Sequence, residues 1–249
     1  MAAKQEVAPY RTTARVVGVV YLAGFVVGIG GNTMIQSVLG VPNHLAGVTA
    51  SAMTVAIGCL LWLLAVAGDT AHGVLMFPIL KRRSERIAIG YLAGRIVDAT
   101  FIAVMVLFIL LQLPVGREYL KAEGSAASSL QSLSSVLTQA SLYSYEIGMS
   151  ALGVAGLMLC SALYRAKLLP GFLSLWGIAG SAIILVGMLS AIAGSGLGDL
   201  SAIPGGLWEV FAGGWLLIKG VSPAGFVPNT ARILTDPAAD RAETEPRTA

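Results

Sequence analysis

The sequence predicts an all-α fold, an integral membrane bundle of six transmembrane helices with N-terminus and C-terminus both cytoplasmic. Three observations predict it. The 249 residues are 56% hydrophobic and 12% charged, against about 25% charged in soluble domains, and the mean hydropathy is +0.79. Six apolar stretches reach the roughly 20 residues that a helix needs to cross a bilayer. The basic residues fall almost entirely on alternate connections, as topology determination by positive charge requires.

The stretches, in order, are Val16–Ile35, Ser51–Leu80, Ile87–Leu113, Ser141–Tyr164, Phe172–Ala193 and Ala202–Lys219. They are too long for the strands of a membrane barrel and lack their alternation. The first follows a basic start, as in a signal peptide, but no small-x-small cleavage site follows it, so it is expected to remain as the first span. Lys4, Arg11 and Arg15 precede it; Lys81, Arg82, Arg83 and Arg86 fill the second connection, Arg165 and Lys167 the fourth, and Lys219, Arg232, Arg241 and Arg247 the end. Arg117 and Lys121 stand on the other side, and Arg95 lies inside a span. A different span count would scramble this pattern.

Between the third and fourth spans, Gly124–Gln139 carries Leu130, Leu133, Val136 and Leu137 at helical spacing. That predicts a short amphipathic helix on the outer membrane surface, either a connector or a lid. The membrane domain is expected to cover residues 1–221. The tail 222–249, with four prolines, mixed charge and few large apolar residues, is expected to be disordered. Cys59 and Cys160 fall near opposite faces of the membrane, too far apart for a disulfide, and no cysteine or histidine spacing points to a metal or cofactor. The sequence pI of about 9.0 comes with a net charge of only +3 and no aromatic-interleaved basic stripe, which excludes a nucleic-acid partner.

The candidate site lies in the lipid interior. Asp69 and His72 stand in the second span, Arg95 and Asp98 in the third and Glu209 in the sixth. Charged groups at such depth are costly and face partners, cavities or substrate paths. Counted from the basic edge, His72 and Arg95 lie roughly 13–14 Å deep, Asp69 and Asp98 about 18 Å and Glu209 roughly 15 Å. Each i, i+3 pair shares a helix face. Three carboxyls against one guanidinium that never deprotonates cannot all be ionised. Either a carboxyl keeps its proton or His72 becomes charged, so the cluster is expected to titrate. The alternative is a structural cluster in which Asp98 neutralises Arg95 and His72 bonds a backbone carbonyl.

Glu146 and Tyr143, near the outer end of the fourth span with Tyr145, are weaker candidates for ligand contact, since aromatics there also form an interface belt. Asn32 reads as a helix terminus, and Trp62 and Trp208 as core or cavity lining. Gly24/Gly28 and Gly90/Gly94 read as close helix contacts and as faces for homodimerisation. Gly194, Gly196 and Gly198 follow a span rather than a strand, so they are not a nucleotide fingerprint. Tyr21-Leu22-Ala23-Gly24 recurs as Tyr91-Leu92-Ala93-Gly94 on spans of the same direction, which suggests a parallel repeat.

Thr13-Ala14-Arg15 leading to Gly18 and Tyr21-Leu22, then Gly28-Ile29, resembles the start of the bacterial membrane family called domain of unknown function 4386. Asp69, Arg95, Tyr145-Glu146-Ile147-Gly148, Leu169-Pro170-Gly171-Phe172-Leu173 and Glu209 before Trp215-Leu216-Leu217-Ile218-Lys219-Gly220 fit the same pattern. The resemblance spans roughly residues 11–221. The family pattern has a His in the fourth span, where this chain has the apolar Ala155–Leu159. The resemblance implies a six-span protein of the bacterial inner membrane and no assigned activity.

Three functions stand open on these residues. One is small-ligand or proton-coupled binding or transport, with Arg95 anchoring an anion and Asp69 or Glu209 exchanging the proton. The second is an intramembrane enzyme whose protonated carboxyl acts as general acid on a lipid or isoprenoid substrate. The third is a regulatory membrane subunit with a structural cluster. The partners are membrane lipid, a small-molecule ligand and a second copy of the chain.

Overall fold

The computed structural model describes residues 2–222 apart from 195 and 197, and all regular structure among them is helical. The helices are α1 (Ala2–Leu39), α2 (His44–Val48), α3 (Ala52–Lys81), α4 (Glu85–Tyr119), α5 (Gly124–Arg165), α6 (Gly171–Ile192) and α7 (Gly198–Ile218). Six of them, all but α2, are long and apolar enough to cross a membrane. The chain is therefore an all-helical, multi-pass membrane protein.

The six spans close into a ring: each packs on its neighbours in sequence, and α7 returns to α1. Small residues make the closure. A Cβ on Gly18 would sit 2.6 Å from the Gly213 carbonyl and 2.7 Å from the Leu217 nitrogen, and one on Gly180 would meet the Gly205 backbone at 3.1 Å. Gly90 and Gly94 face Met158 and Ala155 on α5, as expected. Of the glycines considered for self-association, Gly90 and Gly94 are thus used inside one chain. Gly24 and Gly28 depart from the expectation, because an added Cβ meets nothing within 4 Å.

The connections on the side of the chain ends are tight. Ser84 caps α4 by accepting the Ile87 N–H at 3.3 Å, and Lys81 pairs with Glu85 at 2.9 Å. Gly220, at φ +71, lies against Arg11, so both ends of the described bundle meet on one face. The Ser222 N–H donates to the Leu168 carbonyl at 3.0 Å. The rest of the tail expected from residue 222 lies outside the described residues.

The opposite face differs from the sequence reading. The amphipathic stretch Gly124–Gln139 is helical but does not lie on the membrane as a separate element; it continues without a break into the fourth span. The 42-residue α5 is about 63 Å long, twice the roughly 30 Å hydrocarbon layer. With the end of α4 it forms a hairpin that outreaches the bilayer. Leu130 and Leu137 pack inward within it, while Val136 is exposed. Nothing interrupts the helical hydrogen bonds at Ser141, so the chain had no reason to bend there. Asn32 is likewise not a helix terminus, since α1 runs on to Leu39.

Two apolar cores fill the ring. One, on the side of the chain ends, gathers Val17 and Tyr21, Met76 to Leu80, Tyr91, Leu159 and Leu163, and Trp208 to Leu216. The other gathers Ile35, Val48, Val55, Cys59, Ile102 and Val106. The free thiols Cys59 and Cys160 are divided between them. Between Val66 and Leu75 on α3, and between Tyr91 and Ile102 on α4, neither core has a member. That gap is where the chain placed its charges.

Candidate functional site

Asp69, His72, Arg95 and Asp98 are brought together because α3 and α4 cross closely at Gly73. A Cβ there would stand 3.2 Å from the Arg95 Cβ and 3.0 Å from a Leu92 methyl. Arg95 is 2% exposed. Its Nη2 pairs with Asp69 Oδ1, its Nε donates to the Asp69 carbonyl at 3.4 Å, and its Nη1 lies 3.5 Å from Asp98 Oδ2. Each guanidinium nitrogen thus lies against a carboxylate or carbonyl inside the protein.

His72 does not bond a backbone carbonyl, the structural option read from sequence. Its Nδ1 lies 2.5 Å from the Tyr91 hydroxyl, and Tyr21 packs on the ring at 4.1 Å between centroids. Tyr21 also meets Trp208 edge-on at 6.2 Å, and the Trp208 indole donates to the Leu173 carbonyl at 2.7 Å. These aromatics belong to the first core and form its edge toward the charges. A narrow apolar cleft runs past them toward the chain ends, lined by His72, Met76, Leu169 and Val221 among others.

Helix periodicity places the remaining carboxyls. At about 100° per residue, Glu209 lies on α7 opposite the lipid-facing Leu200, Leu207 and Phe211, and Asp69 lies on α3 opposite Leu60, Leu64 and Val74. Both therefore point into the ring. Glu209 stands in the electrostatic field of Arg95 and Asp69, and no hydrogen bond or ion pair ties it to either. Asp98 is 1% exposed, yet neither of its oxygens has a hydrogen-bond partner, nor has His72 Nε2. The five residues singled out from sequence thus share one band, in which Arg95 and Asp69 are satisfied and Asp98, His72 and Glu209 retain bonding capacity.

The two weaker candidates lie outside this band. Tyr143 is exposed on the outer surface of α5. Glu146 has one buried oxygen without a partner and faces the charge of Asp199 rather than the cluster. Trp62 packs against the second core and Trp208 is buried in the first. Among the described residues no group of His, Cys, Asp or Glu is arranged to hold a metal ion.

Sequence reading missed the tyrosines as members of the site and missed a second polar network. Gln112, inside α4, donates to the Ser134 carbonyl at 3.0 Å and to Thr138 Oγ1 at 3.1 Å, and accepts from Ser134 Oγ at 2.7 Å. Ser134 Oγ lies 3.0 Å from His44 Nε2. The signals were there: a tyrosine at the head of each repeated tetrapeptide, and a lone glutamine in an apolar span.

Comparison with known proteins adds one match. The model of the family described as a domain of unknown function (DUF4386) matches residues 16–220. No curated protein matches, and no solved structure matches.

Proposed function

The chain belongs to DUF4386, a family without an assigned activity, and from that premise we propose that it binds and exchanges a proton in the membrane interior, coupled to binding or transport of a small ligand. The observation that carries this is the imbalance of the band. Three carboxyls converge on a single guanidinium that Asp69 already occupies, and the nearly fully buried Asp98 has no hydrogen-bond donor at either oxygen. An ionised carboxylate left that way is among the costliest groups a protein can bury. A proton relieves the cost, and proton relays in pumps and transporters use such groups.

The general-acid reading draws less support, because the residues lining the apolar cleft include His72 and Tyr21 but no carboxyl. The same proposal puts the chain in a bacterial plasma membrane with both ends in the cytoplasm. The basic connections Lys81–Arg86 and Arg165–Lys167, on the face where the ends meet, support that orientation.

Infrared spectroscopy of the protein in vesicles tests the proposal. The carbonyl band of protonated carboxyls should change in intensity on titration and lose a component in Asp98→Asn or Glu209→Gln. A spectrum that neither substitution alters, in variants that remain folded, sinks it.

A further inference from the structure

We infer that the band takes a small monovalent cation, admitted through a crevice beside Gly24 and Gly28 of α1. This deepens the proposed function, on which it rests for the location of the site, by naming the charge of the co-substrate and its route.

The crevice follows from α1 itself. Val19, Val26 and Ile29 are exposed toward lipid, and Val17, Tyr21 and Ile35 are buried on the other side. Gly24 and Gly28 fall on that buried stripe at about 100° per residue, so they face the ring interior. Yet a Cβ on either meets nothing within 4 Å, whereas one on Gly18 or Gly31 on the same helix would meet backbone within 2.8 Å. Open space thus lies on the inward side of α1, where Gly24 and Gly28 are half-buried. It lies alongside Glu209, because Phe25 packs on Gly206 and Tyr21 on Gly213, which brackets Glu209 at the level of Gly24. It also reaches α3, where the Asp69 side chain is 33% exposed although it points away from lipid. Asn32, one turn further toward the hairpin face, is exposed. Toward the chain ends Tyr21, Trp208 and the first core leave only the narrow apolar cleft.

The charge of the occupant follows from the donors. Arg95 has no free fork for an anion, since its nitrogens address Asp69 and Asp98. Among the described residues no hydrogen bond or ion pair is seen for Glu209, and the nearly fully buried Asp98, 3.5 Å from Arg95, has no hydrogen-bond donor. Carboxyls in excess inside low-dielectric walls concentrate cations and repel anions.

Thiol-reactive reagents of opposite charge test this. Gly24→Cys and Gly28→Cys, each made with Cys59→Ala and Cys160→Ala, are exposed in sealed vesicles to a trimethylammonium methanethiosulfonate and to its sulfonate counterpart. Each rate is divided by the rate with a free small thiol. The cationic reagent should react at least about tenfold faster at both positions, and Glu209→Gln should shrink that ratio toward one. Equal rates overturn the inference, as does no reaction at either position while Asn32→Cys is modified. The carboxyl infrared band measured on the same cysteine variants reports the proton reading separately, so the two failures are distinguishable.

Discussion

The Tyr91 hydroxyl lies 2.5 Å from Nδ1 of His72, and Tyr21 stacks at a tilt on the same imidazole. The two tyrosines head the repeated Tyr-Leu-Ala-Gly, so both copies converge on one histidine. A phenol that donates to Nδ1 leaves the imidazole proton on Nε2. Tyr91→Phe removes the one hydrogen-bond partner found among the described residues for a ring that is 1% exposed, and an orphaned buried polar atom costs about 1–3 kcal/mol. Unfolding in detergent should show that loss. His72→Leu in the Tyr91→Phe background should then cost less than the sum of the single changes. Strict additivity would mean that no bond links the pair.

Arg95 holds the band together through a fork rather than a point charge. It addresses an oxygen of Asp69, the Asp69 carbonyl and Asp98 with three different nitrogens. Arg95→Met would leave the carboxyls without a cation, and breaking a buried pair from one side costs about 3–5 kcal/mol. Arg95→Lys should recover only part of this, because an ammonium cannot span the same acceptors. Asp69→Asn should be milder, since the amide oxygen still accepts and Asp98 remains. The check is the unfolding midpoint of purified protein. An Arg95→Met variant as stable as the parent would show that the guanidinium is dispensable.

The six spans and the shared depth of the charges on α3 and α4 could be read from sequence because both rest on strong, local signals. Apolar run length and basic residues mark span number, and equal depth from a short connection aligns Asp69 and His72 with Asp98 and Arg95. Glu209 needed the further step that the first and last spans meet, which Gly18 and Gly213 bring about but which no pattern in one sequence announces. The continuous α5 was hidden because its outer third, rich in Ser and Ala, is polar enough to read as a connector. Its helix is held by packing against α4 and by Gln112, which are tertiary facts. Gly24/Gly28 and Gly90/Gly94 carry identical spacing, yet one pair is packed and the other open, since spacing alone does not say which helix lies opposite.

That difference between glycines makes a direct prediction. Gly18→Ala would drive a methyl into the Gly213 carbonyl and the Leu217 nitrogen, where backbone rather than a flexible side chain must yield. Overpacking of this kind costs about 1–3 kcal/mol. Gly24→Ala meets open space and gains the helix propensity of alanine over glycine, up to about 1 kcal/mol. Unfolding midpoints should therefore move in opposite directions. Movement of both in the same direction would contradict the closure of the ring at α1 and α7.

The projecting hairpin should be fastened at one place. Ser134 Oγ has a single hydrogen, given to the Gln112 carbonyl oxygen at 2.7 Å, so His44 Nε2 is the donor in the contact at 3.0 Å. Gln112 in turn uses both amide hydrogens, on the Ser134 carbonyl and on Thr138. Every polar atom of the side chain is thus satisfied inside an apolar span, and α2 is tied to α5 through it. Gln112→Leu, close in volume, removes three bonds and leaves the Ser134 hydroxyl without its acceptor, while the Ser134 carbonyl keeps the Thr138 hydroxyl. Hydrogen exchange across residues 124–139 should then accelerate, with protection in α6 and α7 unchanged. Ser134→Ala should show a weaker form of the same effect, because the Gln112 amide keeps its two acceptors. Unchanged exchange in Gln112→Leu would show that apolar packing of Leu130 and Leu137 holds the hairpin without the network.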